Sequence, residues 1–288
     1  MRLDGRRESS NVDDRRRMSG GRAAGLGLGG IVVVGLITLL MGGNLGDVFN
    51  AVTRNDGLEQ TGGNQEAEFT EEEQQLASFA SKILAGTEDI WTAQFAAQGL
   101  EYRKPRMVLY TGATSSGCGS ASSSIGPFYC SADESVYIDL SFFTSMSRQL
   151  GADGDFAYAY VIAHEVGHHV QHLLGTLDQA HQQMARMDKA GANKVSVRLE
   201  LQADYFAGMW AKHDNQQYQS LEDGDLEEAI RCASVIGDDY LQKKSQGYVV
   251  EDAFTHGTAA QRMRWLKAGL TYGDFAHGDT FQLSESRL

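Results

Sequence analysis

The chain has 288 residues, 42% of them hydrophobic and 22% charged, enough for one sizeable domain with appendages. Its two prolines exclude a long proline-rich linker, and its net charge of −13 makes the body a poor nucleic-acid ligand, because phosphate repels it. The charge is uneven: residues 1–22 hold seven arginines against four acids, net +3, and the remainder carries −16.

In chain order, the basic head (1–22) leads into AAGLGLGGIVVVGLITLLMGG, residues 23–43, which contains no charge. As a helix rising about 1.5 Å per residue, this stretch is about 30 Å long, the thickness of a bilayer core. We read it as an uncleaved transmembrane signal anchor. A cleaved signal peptide is the alternative, but the arginine head and the apolar run are both long and there is no clean small-x-small cleavage site. The arginines before the span place the head in the cytoplasm and everything after residue 43 outside, by the positive-inside rule. Residues 44–69 are polar, Gly/Asn-rich and without periodicity, and read as a tether. The main domain is expected over 70–288.

That domain opens on Thr70-Glu71-Glu72-Glu73, a capping box, followed by an apolar face at Leu76, Phe79, Ala80, Ile83 and Leu84. A second helix is expected over about 88–98. Arg106–Tyr110, Phe128–Cys130 and Val136–Leu140 read as short strands, and from 141 onward the pattern is helical. Strands early and helices late predict an α+β domain, mostly helical with a small sheet. Cys118 and Cys130 bound the loop CGSASSSIGPFYC; in an oxidising compartment a disulfide between them is expected, with two buried thiols as the alternative. Closing that loop would stabilise the fold by about 3 kcal/mol. Cys232 sits in a helical pattern and reads as a core residue.

The run VIAHEVGHHVQ, residues 161–171, contains His-Glu-x-x-His. On a helix, His164 and His168 lie one turn apart and converge on one ion, while Glu165 is offset and can reach a metal-bound water as general base. The flanking valines and isoleucine suit a helix buried behind a site, and burying two histidines and a glutamate without a partner would be costly. The third ligand must come from elsewhere. His172 is about 12 Å from His164 along the axis. The metzincin pattern fails, because Gln171 replaces its glycine and Leu174 its histidine. Asp178 follows too closely for a returning element. Glu200 and Asp204, at i and i+4 on the apolar helix SVRLELQADYFAGMWAKH, are the better pair. Glu200 would complete a His₂Glu zinc site and Asp204 would orient a zinc-bound histidine.

HEVGHHVQ followed by RLELQAD resembles the gluzincin metallopeptidases. Together with the RRESSNVDDRR head, GPFYC, VYIDLSFF, LELQADYFAG and THGTAAQRMRW, the chain resembles the bacterial membrane-anchored neutral zinc metallopeptidases along nearly its whole length. The resemblance implies a zincin-like fold with zinc as cofactor, a catalytic domain on the outer face of the bacterial inner membrane, and peptide or protein substrates. It implies a sheet edge that pairs with substrate, for which Gly126–Cys130 is the candidate, and an oxyanion-stabilising histidine, for which His256 is the candidate. Arg262 and Arg264 are expected to anchor the C-terminal helix. His169, His172, His181, His213 and His277 are expected to be structural or solvent-exposed. The alternative functions are a zinc-bound scaffold without turnover and a zinc amidase acting on cell-wall peptides.

Overall fold

The computed structural model describes residues 1–17 and 69–288. The expected transmembrane segment (23–43) and nearly all of the tether (44–69) lie outside these residues. Among the described residues, no helix is long and apolar enough to cross a membrane.

The chain begins with a short strand, β1 (Val12–Asp14), which the sequence reading missed, and then forms helix α1 (Glu71–Ala97). The Thr70 capping box forms as expected, and three glutamates in the first turn complement the helix dipole. One helix runs where two were expected. Gly86 is not a break: a Cβ there would lie 2.7 Å from Arg6 Nη2 and 3.0 Å from Asp214 Oδ1, so glycine makes room for an ion pair against the helix. Strands β2 (Arg106–Tyr110), β3 (Ala113–Ser116), β4 (Gly119–Ser122), β5 (Phe128–Cys130) and β6 (Ser135–Asp139) follow. The main sheet has the order β1-β2-β6-β5, with β1, β2 and β6 parallel and β5 antiparallel on the edge. β3 and β4 form a separate antiparallel hairpin where an irregular Gly/Ser loop was expected. The expected disulfide, Cys118–Cys130, ties the turn of this hairpin to β5.

The rest is helical: α2 (Ser141–Leu150), α3 (Asp155–Leu173), α4 (Thr176–Met184), α5 (Lys189–Tyr218), α6 (Asp225–Val235), α7 (Asp238–Gln246) and α8 (Ala259–Tyr272). The architecture is thus the expected mostly helical α+β class. Small residues set how closely the helices approach. A Cβ on Gly208 of α5 would sit 2.2 Å from Leu266 O of α8, and one on Gly269 would sit 2.0 Å from Tyr205 O. Gly167 of α3 lies against Ala203 of α5, where a Cβ would be 3.0 Å from the Ala203 carbonyl oxygen. The core joins Trp91 and Phe95 of α1, Phe156 and Tyr160 of α3, and Phe206 and Trp210 of α5, with Cys232 buried among them as expected.

Residues 1–17, the described part of the head expected over 1–22, lie on the domain: β1 pairs with β2, and Arg6 forms an ion pair with the buried Asp214 of α5.

Candidate metal centre

The crossing of α3 and α5 builds the site. Because Gly167 allows Ala203 to approach, the turn of α3 carrying His164 and His168 faces the turn of α5 carrying Glu200 and Asp204. His164 Nε2 lies 3.1 Å from Glu200 Oε2, and His168 Nε2 lies 3.4 Å from Glu200 Oε1. One ligand atom from each of these residues falls within 4.8 Å of the others. Tetrahedral ligands held about 2.0–2.2 Å from zinc are about 3.3–3.6 Å apart, so the two contacts to Glu200 are near that spacing and the set would close on an ion by drawing in from its 4.8 Å spread. Two imidazoles and one carboxylate are also the donor types that zinc prefers where a position must stay open. Asp178 lies away from this set, 3.6 Å from His172 Nδ1, and His172 lies 3.5 Å from Glu134.

Each histidine is oriented by its other nitrogen. His164 Nδ1 donates to Asp204 Oδ1 at 2.8 Å. The same fully buried carboxylate accepts from Tyr160 OH at 2.6 Å, and from Arg262 Nε and Nη2 at 2.9 Å each. Arg262 therefore does more than hold the C-terminal helix: it locks α8 onto the group that orients His164. His168 Nδ1 donates to Gln171 Oε1 at 2.9 Å, and Gln171 Nε2 is fixed by the Leu199 carbonyl at 2.7 Å. Gln171 was missed from sequence; its only signal was its position one turn after His168 on the same helix. The pair gives each ligand histidine a defined tautomer, with Nε2 left for the metal.

The electrostatics follow from burial and mutual charge. Burial opposes ionisation of Asp204, but Arg262 and His164 outweigh it and bring its pKa down to about 2. Burial would also lower the His164 pKa; the charge and hydrogen bond of Asp204, with help from Glu200, raise it to about 10. A metal held at Nε2 would compete with the proton that this raised pKa favours. Glu200 is held well below the usual carboxylate range by His168 and His256 despite its burial. Glu165 goes the other way, because its burial outweighs the attraction of His164 and His168.

The centre opens into a cleft of about 480 Å³ whose lining includes Glu165, His256 and Arg262. Most of the remaining wall is apolar, with Phe142, Val161, Leu177, Leu199, Ile236 and Leu241 contributing. His181, expected to be structural or exposed, also lines it. His256 reaches the cleft because Asp238 gathers its loop: one oxygen accepts the backbone N–H groups of Thr255, His256 and Gly257 at 2.7, 2.7 and 2.9 Å. The His256 Nδ1 lies 2.9 Å from Thr255 Oγ1 and 3.3 Å from Asp238 Oδ1, so Nε2 is the nitrogen left for the cleft. The edge strand β5 and the disulfide-tied hairpin form one rim, through residues such as Phe128, Cys118 and Ser120. His169 is structural, as expected: Nε2 donates to the Arg103 carbonyl at 2.6 Å and Nδ1 accepts from Tyr129 OH at 2.9 Å, which fixes β5 against α3.

The chain is 49% identical to the uncharacterized protein YpfJ of Escherichia coli, over 98% of its own length and 99% of the relative's. It is 41% identical to an uncharacterized protein of Mycobacterium tuberculosis, over 64% of each chain. No solved structure gives a significant match. The family described as "Putative neutral zinc metallopeptidase" matches residues 1–281 and, with a centre that suits the metal, the chain belongs to that family, whose cofactor is zinc.

Proposed function

We propose that the protein is a zinc-dependent endopeptidase. The observation that carries this reading is the convergence of His164, His168 and Glu200 in one cleft with Glu165, a carboxyl group with no place in the ligand set. When bound, zinc supplies a Lewis acid and lowers the pKa of water towards 7. Glu165, raised by burial, accepts a proton from the attacking water and returns it to the leaving amine. His256 donates from Nε2 to the oxygen on which charge develops, and its Asp238-bound loop holds the ring there. Among the described residues, β5 is an edge strand of the main sheet with one side unpaired, and it lies at the cleft rim, which supports extended pairing with a peptide backbone. Asp204, Tyr160 and Arg262 keep His164 in its metal-binding tautomer.

The test is the Glu165→Gln variant with a library of quenched fluorescent peptides. Zinc content should equal that of the wild type and cleavage should fall by at least about 10³-fold, within the range for losing a general base from an activated-water mechanism. A variant that retains zinc and cleaves at the wild-type rate removes Glu165 from the mechanism. We also propose that the apolar stretch 23–43 attaches the protein to a membrane. Its length and lack of charge support this, and the reading fails if alkaline extraction releases the full chain from membranes as readily as a variant lacking these residues.

A further inference from the structure

Residues 1–17 are built into the domain rather than laid upon it. β1 pairs with β2 in parallel register, Val12 opposite Met107 and Asp14 opposite Leu109. Met107 N donates to Asn11 O at 2.9 Å, and Arg15 N donates to Leu109 O at 2.7 Å. Upstream, Arg6 grips the buried Asp214 through both terminal nitrogens, at 2.7 and 3.3 Å, and stacks over Tyr218 with 3.8 Å to the ring centroid. Ser9 Oγ and Asn11 Nδ2 donate to Oε1 of the buried Glu88 at 2.6 and 2.7 Å, and Arg7 Nη2 donates to its Oε2 at 2.9 Å. Without these residues, Asp214 would lose its arginine and Glu88 three of its donors. Burying a carboxylate without compensation is strongly unfavourable, so the domain depends on the segment.

The two ends of the intervening chain also meet. The guanidinium groups of Arg16 and Arg17 lie 3.9 and 5.1 Å from the centroid of the Phe69 ring, and Arg16 Nη1 donates to Glu73 O at 2.8 Å. Arg17 and Phe69 thus lie within the reach of one side chain of each other. A single membrane crossing between these points would put β1 and β2 on opposite faces of an apolar layer about 30 Å thick. Hydrogen-bonded neighbours in a sheet are about 4.8 Å apart, and the two arrangements exclude each other. The charge argument for a cytoplasmic head weakens for the same reason. Arg6 and Arg7 are paired with domain acids, and Arg15 and Arg16 with Asp13 and Asp14 in the same segment.

We infer that residues 1–17 and residues 69–288 lie on the same side of any membrane to which the protein is attached, in place of a cytoplasmic head and an external domain. The stretch 23–43 can hold the protein to a membrane, but it does not separate its two flanks. Neither conclusion depends on the peptidase reading.

The test places one cysteine at each flank of the full chain, Asp4→Cys and Tyr248→Cys, both at exposed positions. The native cysteines are disulfide-bonded or buried, so the wild type is the blank. A membrane-impermeant maleimide is applied to intact cells, and permeabilised cells give the total. The two variants should give the same labelled fraction, both high or both near the blank. One high and the other near the blank overturns the inference. Hydrogen exchange of the full chain in detergent micelles checks the packing itself. The amides of Arg15 and Met107 should exchange at least about 100-fold more slowly than an unstructured chain, as paired strand amides do. Exchange of both at the unstructured rate would equally overturn it.

Discussion

Asp204→Asn separates the orientation of the metal centre from the stability of the fold. The carboxylate accepts from His164 Nδ1 at 2.8 Å and Tyr160 OH at 2.6 Å, and from two nitrogens of Arg262 at 2.9 Å. Asp204 and Arg262 have 0% and 4% relative exposure, so water does not replace a lost partner. Asparagine keeps the shape but leaves the guanidinium uncompensated, which should cost about 3–5 kcal/mol. It also presents a weaker acceptor to His164, and zinc affinity should fall by about 10–100-fold. The double variant Asp204→Asn/Arg262→Gln removes the unpaired charge. It should recover much of the stability and little of the zinc affinity. Urea unfolding of the metal-free chain measures the first quantity, and competition with a chromophoric chelator the second. The sign with pH has two parts: the depressed carboxyl contributes fully above its unfolded value of 3.8 and loses this as pH falls towards about 2, whereas the part carried by His164, which Asp204 raises to about 10, is fully present below 6.5 and fades above it, so the stability deficit should be larger at pH 5–6 than at pH 8. Zinc affinity within about threefold of wild type in the single variant, or affinity recovering in step with stability in the double, would refute the orienting role.

Three further predictions address the second histidine, the helix crossing and the edge strand. Gln171→Ala should weaken zinc binding by about tenfold, read by the same competition, because His168 Nδ1 loses its acceptor at 2.9 Å; unchanged affinity would show that α3 alone orients His168. Gly208→Ala should destabilise the domain by about 3 kcal/mol, since its Cβ would meet backbone at 2.2 Å rather than a movable side chain, and an unchanged urea midpoint would contradict so close a crossing of α5 and α8. His169 is buried and neutral, and burial lowers its pKa from 6.5 to about 4. The unfolded chain therefore binds this proton first, and the stability from the neutral ring is present above pH 6.5 and lost as pH falls towards 4. At about 1.4 kcal/mol per unit, the wild type should lose about 3 kcal/mol more than His169→Gln between pH 7 and 4, and equal losses would show that the ring is not held neutral.

How much of the site was legible depended on the distance over which its parts interact. His164, Glu165 and His168 were readable because one helix fixes their relation, and Glu200 with Asp204 because two acids one turn apart stood out on an apolar helix. Gln171 lies on the same helix, but a glutamine three residues after a histidine carries no signal without knowledge of the ring orientation. Arg262 and Asp204 are 58 residues apart, and only the glycine-mediated crossing of α5 and α8 brings them together. Asp238 was invisible for a similar reason: a helix-opening aspartate is ordinary, and its acceptance of three successive amides appears only once the loop before α8 folds over it.

The same reasoning applies to the basic head. β2 and β6 announce themselves through apolar runs, since both faces of each are covered. β1 is Val-Asp-Asp, three residues on a sheet edge, too short for any periodicity and polar because one side meets water. Its strand character comes from β2, not from its own composition. The arginines around it were counted as an uncompensated positive charge, which presumes that each faces solvent. Two of them instead answer buried acids on α1 and α5, 81 and 208 residues away. A sequence count sums charges that the fold pairs off, so the head reads as a topological signal when its arginines are structural. The orientation of the apolar stretch that follows should therefore be argued from where its two flanks are anchored, not from the charge that precedes it.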